Sequence, residues 1–221
     1  MTQAHVSFGK DSLAMLLMLI ADRVPLDEVV FFDTGMEFDA IYKMRDKILP
    51  ILKENNIKYT ELKPSKPFIE YMLGHKHYTR KGELKIGYGW CGGRCRWGTT
   101  EKIRALTKHA KDADIVYVGI AKDEPERLAR LKGTNKVSYL DKKGFTEKMA
   151  LELCKECGFD WDGLYDILDR VSCWCCRNKN LKELANYKKH LPNYFKSLVS
   201  LEEAIGEPMK GNKFLQERFP E

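Results

Sequence analysis

Long apolar runs are what this 221-residue chain most conspicuously lacks. The longest, around Leu13 to Ala21, falls well short of the roughly 20 residues a bilayer-spanning helix needs, so no membrane partner or anchor is expected. The start of the sequence has no basic stretch leading into an apolar core and a small-residue cleavage site, and the expected location is the cytoplasm. Internal repeats and low-complexity tracts are missing too, which excludes solenoids and disordered arrays. No RNA-binding module is visible. Nor is there a Walker A loop: its first glycine would have to stand at Ala4, and Lys10 is followed by Asp11 rather than Ser or Thr.

Hydrophobic residues make up 43% and charged residues 32% of the chain, enough for one sizeable α/β domain with a small addition. The net charge of +6 is mild. Part of the excess is local, with His75, Lys76, His77, Arg80, Lys81 and Lys85 close together among Gly82, Gly87 and Gly89. Such a loop suits a lid over an anionic ligand or a contact with nucleic acid, and a solvated loop accounts for it equally well.

The run HVSFGKDSLAMLLMLIADR, residues 5–23, sets a small polar turn between a strand-like entry and an amphipathic helix. Ser7, Phe8, Gly9, Lys10, Asp11 and Ser12 form the turn, where backbone N–H groups and the positive end of the helix dipole can meet a phosphate. Ser7 and Gly9 are expected to permit the tight bend, and Lys10 supplies a counter-charge. A second segment, DEVVFFDTGMEFDAIYKMRDKI, reads as a buried strand followed by a helix with Phe38, Ile41, Met44 and Ile48 on one face. Ligands of open parallel sheets lie at the carboxyl ends of strands, which places Asp33 and Thr34 beside a nucleotide; either residue type also caps helices. In a third segment, YVGIAKDEPERLARL, an apolar run ends at Gly119 and gives way to Asp123, Glu124 and Arg127.

Strands are expected at residues 3–7, 28–32, 57–62, 114–119 and 136–140, and helices at 11–22, 37–54 and 99–111, with Pro50 kinking the second helix. The alternation predicts an α/β fold, a parallel five-stranded sheet with helices on both faces, over residues 1–145. Residues 146–221 read as a helical extension, with helices at 146–157, 161–170, 178–189 and 193–205.

Seven cysteines in a cytoplasmic chain argue for metal or redox chemistry rather than a disulfide framework. Cys91 and Cys95 form one close pair, and Cys173 and Cys176 another, with Cys175 able to replace either late ligand. Four thiolates suit a tetrahedral zinc or an iron–sulfur cluster, though buried cysteines beside Trp90, Trp97 and Trp174 would read the same way. Cys154 and Cys157 sit near the end of a helix, with at least one facing the core; a redox pair would open a helix instead.

Together SFGKDS, DTGMEF and GIAKDEPER resemble the phosphoadenosine phosphosulfate (PAPS) reductase family of the PP-loop adenine nucleotide α-hydrolase superfamily. The likeness covers roughly residues 3–190, and two cysteine motifs, W-C and C-W-x-C, belong to it. It implies the family's Rossmann-like fold and an adenine nucleotide, PAPS or ATP, held by Ser7 to Ser12, Asp33, Thr34, Gly119, Asp123, Glu124 and Arg127. It further implies that Gly119 lets the ligand approach and that Arg127 meets an anionic group. Two chemistries share such a pocket. A sulfonucleotide reductase takes PAPS, a thiol nucleophile and a thiol reductant protein; an adenylylating enzyme takes ATP with Mg²⁺ and passes sulfur or nitrogen to an acceptor such as tRNA or DNA. The chain departs from the family at Ala121, where many members carry arginine, and it has no cysteine after Cys176 where reductases carry E-C-G-x-H. The expected catalytic residues are Lys10, Asp11 and, if the chemistry is reductive, Cys176.

Overall fold

The computed structural model describes residues 1–90 and 95–220. In chain order the elements are β1 (Thr2–His5), α1 (Lys10–Ala21), β2 (Glu28–Phe32), α2 (Asp39–Glu54), β3 (Lys58–Leu62), a π-helical turn (Glu70–Gly74), β4 (Lys76–Tyr78), β5 (Leu84–Ile86), a second such turn (Arg96–Glu101), α3 (Lys102–His109), β6 (Ile115–Val118), α4 (Pro125–Ala129), β7 (Lys136–Val137), α5 (Tyr139–Lys142), α6 (Glu147–Glu156), a 3₁₀ turn (Trp161–Gly163), α7 (Leu164–Ile167), α8 (Leu181–His190), α9 (Pro192–Ile205) and α10 (Leu215–Arg218). Five strands form one sheet in the order β3-β2-β1-β6-β7, every neighbouring pair parallel. The expected α/β class and strand positions are thus observed, except that the last strand stops at Val137: Ser138 caps α5, which takes Tyr139 and Leu140. β2 is buried at every position, as a strand covered on both faces must be, which is why it reads as the unbroken apolar run VVFF.

The described residues divide into two compact units. The first comprises Met1–Asp33, Glu37–Lys63 and Ile103–Gly163 and holds the five-stranded sheet; the second comprises Thr34–Met36, Pro64–Lys102 and Leu164–Glu221. This division does not fall at residue 145. Helix α6 belongs to the sheet unit because its face with Ala150 and Cys154 packs on α1. Residues 64–102, in contrast, belong with the C-terminal helices. Helix α2 runs on through Pro50 to Glu54.

In the second unit a buried carboxylate organises the tail. Glu202, 1% exposed on α9, accepts the backbone N–H of Met209 at 2.6 Å and that of Leu215 at 2.6 Å, so two segments beyond the helix are fixed to it. Trp90 donates its indole N–H to the Glu207 carbonyl at 2.8 Å, and the Arg177 guanidinium donates to the Met209 carbonyl at 3.0 Å. Each bond satisfies a polar group that burial would otherwise penalise. No helix among the described residues is long and apolar enough to cross a membrane.

In the sheet unit, Glu28 opens β2 and is 2% exposed. It accepts from Gln3 at 2.7 Å, Thr60 at 2.5 Å, Lys58 at 2.8 Å and the His109 ring at 3.0 Å, linking β1, β2 and β3 with α3. Burial alone would raise its carboxyl; the bonds from Lys58, Thr60 and His109 outweigh it and hold the pKa down at about 2. A folded pKa below the unfolded value means that the stabilisation is complete above about pH 5 and is lost as pH falls towards 2. Urea unfolding at a series of acid pH values is expected to show a loss on the order of 2–3 kcal/mol over that window. In Glu28→Gln the same interval should be markedly flatter.

Candidate functional site

The order β3-β2-β1-β6-β7 reverses direction between β1 and β6, and in an open α/β sheet such a switch opens a crevice at the carboxyl ends of the strands. Ser7 to Gly9 leave β1 at this crevice and lead into α1. The left-handed residue of the turn is Phe8, at φ 55°, not Gly9, which is extended at φ −78° and ψ 164°. A non-glycine residue there carries strain of about 1–3 kcal/mol and persists only if its surroundings fix it. They do so here: the Phe8 ring is fully buried and packs edge-on to Phe31 at 5.1 Å, while Trp161 donates its indole N–H to the Phe8 carbonyl at 2.7 Å.

The turn is braced internally as well. The Ser12 hydroxyl accepts the Ser7 N–H at 3.1 Å and donates to the Gly9 carbonyl at 3.1 Å, with the Ser7 hydroxyl also 3.1 Å away. Glycine at the N-cap brings no side-chain cap, so the positive end of a 12-residue helix is directed at the crevice. Gly119, just beyond β6, sets how closely the two sides approach. A Cβ there would lie 2.5 Å from Ser12 Cα and 2.6 Å from Ser12 N. The absent side chain therefore makes room for the loop itself.

Lys10 is 8% exposed, and its ammonium lies between two carboxylates, Asp11 at 2.9 Å and Glu147 at 2.6 Å. Burial works against the charge, but the bonds to Glu147 and Asp11 more than offset it and raise the lysine pKa. Asp11 is raised chiefly by its own burial, with Glu147 and Glu124 adding repulsion against the pull of Lys10. The Glu147 backbone N–H in turn donates to Asp123 at 3.0 Å. The first and third sequence segments thus meet around one lysine, through a residue, Glu147, that sequence reading did not select.

Glu124 accepts the N–H of Ala121 at 3.2 Å and pairs with Arg127, so the anion met by Arg127 is a carboxylate of its own turn. Asp33 accepts the Tyr42 hydroxyl at 2.7 Å, and its N–H donates to the Leu62 carbonyl at 2.8 Å. Burial and that carboxylate push the Tyr42 phenol well above its usual range. Thr34 belongs to the second unit, where its hydroxyl accepts the Met36 N–H at 3.2 Å and lies 3.5 Å from Cys173 Sγ.

The cysteine segments also lie in the second unit. Trp174 donates its N–H to the Met36 carbonyl at 2.9 Å, and Cys176 donates its N–H to the Cys173 carbonyl at 3.1 Å, closing a tight turn. Cys95 Sγ accepts the Gly98 N–H at 3.3 Å, and Cys175 is buried. Buried Lys179 donates to the Arg170 carbonyl at 3.2 Å and lies over the Tyr187 ring. Among the described residues no three or more His, Cys, Asp or Glu side chains converge to hold a metal ion. Cys95, Cys173 and Cys176 do not make such a set by themselves, and Cys91 lies outside the described residues. Cys154 is core-facing as expected. Its thiol lies 3.5 Å from the Lys10 carbonyl, and burial pushes its pKa up to about 12, which leaves it inert as a nucleophile.

A family model described as phosphoadenosine phosphosulfate reductase domain matches residues 2–144. Among curated proteins, the uncharacterized protein MJ0066 of Methanocaldococcus jannaschii is 25% identical over 206 residues, an alignment taking in 84% of this chain and 38% of that protein. The chain therefore spans well under half the length of this relative. Among solved structures, the U34-tRNA thiolase NcsA from Methanococcus maripaludis with its 4Fe–4S cluster aligns at a TM-score of 0.46 and 15% identity, over 93% of this chain and 72% of its own.

Gly119→Ala forces Ser12 and the start of α1 to move. Thermal or urea unfolding should show a loss of about 1–3 kcal/mol, and equilibrium dialysis with an adenine nucleotide a clear loss of affinity. Gly74→Ala, whose Cβ would meet nothing nearer than 4.0 Å, is the control expected to leave both unchanged.

Proposed function

The chain belongs to the phosphoadenosine phosphosulfate reductase domain family, and from this premise, which makes it a PP-loop nucleotide-binding enzyme of that kind, we propose that its nucleotide is ATP and that it cleaves the α–β phosphate bond to activate an acceptor. The observation that carries this reading is the surroundings of Lys10. Its ammonium is already offset by Asp11 and Glu147, with Glu124 near enough to act on Asp11. A polyphosphate entering such a loop needs further positive charge. Magnesium is commonly held by one or two carboxylates together with substrate phosphates, and Asp11 and Glu147 fit that role without forming a metal cage of their own. When bound, Mg²⁺ would offset charge on the pyrophosphate leaving group.

Sulfonucleotide reduction does not call for that arrangement. At the position where many family members carry arginine, this chain has buried Ala121, whose N–H donates to Glu124; the absence of a cation in that side chain and the carboxylate beside it support ATP over PAPS.

In the proposed reaction the backbone N–H groups opening α1 hold the leaving phosphates, aided by the helix dipole. Lys10 orients the chain of phosphates. An oxygen of the acceptor attacks the α-phosphorus, the bond to the bridging oxygen breaks, and pyrophosphate leaves; the products are the adenylylated acceptor and pyrophosphate. A hydrosulfide or amine nucleophile then displaces AMP. The acceptor class proposed is nucleic acid.

Anaerobically purified protein is to be incubated with ATP and Mg²⁺, with and without total RNA, and separately with PAPS and a dithiol. Pyrophosphate is expected from ATP only, and Lys10→Ala should reduce it by about a hundredfold or more. Sulfite from PAPS, abolished by Cys176→Ser, would overturn the reading in favour of a reductase.

A further inference from the structure

Residues 75–89 are not a structureless loop. β4 and β5 pair antiparallel with Lys76 opposite Ile86, His77 opposite Lys85 and Tyr78 opposite Leu84. The tip is ordered by the Thr79 hydroxyl, which accepts the N–H groups of Lys81 and Glu83, each at 3.2 Å. At the base, Gly87 donates its N–H to the His75 carbonyl, Tyr88 to that of Tyr71, and Gly89 to that of Met72. A Cβ on Gly87 would lie 2.3 Å from the Met72 carbonyl oxygen, so glycine is required for the hairpin to sit against the π-helical turn. The hairpin is a firmly rooted projection.

Its two faces differ. On one, His77 stacks on Tyr88 at 4.1 Å, and His75 stacks on Tyr88 at 5.1 Å. The other carries Lys76, Tyr78, Leu84 and Ile86, since residues paired directly across a ladder share a face. Tyr78 is 73% exposed, Leu84 55% and Ile86 64%. An exposed apolar patch on short strands marks a contact surface. On this face and at the tip stand three cations, Lys76, Arg80 and Lys81, against one acid, Glu83, while Lys85 lies with His77 on the opposite face. Among the described residues none of these four cations forms a salt bridge, whereas Lys10, Lys43, Arg45, Lys66 and Arg127 all do.

We propose that this exposed face of the hairpin binds a single-stranded segment of nucleic acid, Tyr78 stacking on a base beside Leu84 and Ile86 while Lys76, Arg80 and Lys81 hold neighbouring phosphates. Charge selects this occupant. A second copy of the chain would bring the same three cations against them, whereas a polyanion is complementary to all. Aromatic stacking flanked by basic side chains is the sequence-tolerant way to hold an unpaired strand. The assignment rests on the reading that the acceptor is a nucleic acid, and it supplies the surface that would hold one.

The test is fluorescence anisotropy of the full chain with labelled single-stranded RNA, and DNA of the same sequence, about 12 nucleotides long. Binding to either probe is expected to weaken steeply with salt. Tyr78→Ala should weaken it about tenfold or more. The double variant Lys76→Ala, Lys81→Ala should flatten the slope of log K against log salt by about 1.4. All variants should bind ATP as the unmodified protein does. Salt-insensitive binding, binding that these variants leave unchanged, or no binding with ATP affinity intact would overturn the proposal. So would self-association in sedimentation that Ile86→Lys abolishes. Loss of ATP binding by the unmodified protein, with oligonucleotide binding retained, would instead overturn the nucleotide reading alone.

Discussion

A phenylalanine held in the left-handed region at the end of β1 is the constraint on which the candidate nucleotide site depends. The bend at Phe8 converts a strand into a helix within a few residues and so turns the start of α1 towards the sheet's carboxyl edge. Such a backbone costs energy in isolation. Burial of the ring against Phe31 and the Trp161 bond to the carbonyl oxygen offset it, so the loop's conformation is enforced from the core beneath it. Gly119 enforces it from the neighbouring strand by allowing a backbone approach that no side chain would permit. Shape at this site is thus set before any ligand arrives, which suits groups that must act by fixed placement.

Charge at the site is set differently. The Lys10 ammonium donates to the carboxylates of Asp11 and Glu147, and the Glu147 backbone extends that network to Asp123. A lone lysine in a phosphate loop would draw any anion. A lysine shared by two carboxylates favours an anion that brings a cation with it, and this distinction separates the two chemistries available to the fold.

Much of the architecture was legible because buried parallel strands leave unbroken apolar runs, as VVFF in β2 and IVYV in β6 do, and because turn residues punctuate them. The loop at Ser7 to Ser12 was legible for the same reason, being a polar interruption between a strand and an amphipathic helix. Its inner workings were not. Local propensity assigns a positive φ to glycine, so Gly9 was the natural choice, but tertiary packing gave that role to Phe8. Glu147 is 137 residues from Lys10 and has no periodic pattern to betray it; only the packing of α6 on α1 brings them together. The hairpin escaped notice because its strands are three residues long and carry lysines where strand formers are usual. The grouping of α6 with the sheet unit is not legible in the sequence, because helix periodicity shows that a face is buried without showing what buries it.

The most direct test of the account is the equilibrium affinity for ATP measured by calorimetry with Mg²⁺ and with chelator, in the unmodified protein and in Glu147→Gln. Metal-dependent binding in the unmodified protein, at least about tenfold tighter with Mg²⁺, and a smaller metal dependence in the variant are the predicted results. ATP affinity indifferent to Mg²⁺ in both proteins, with PAPS bound more tightly than ATP, would contradict it.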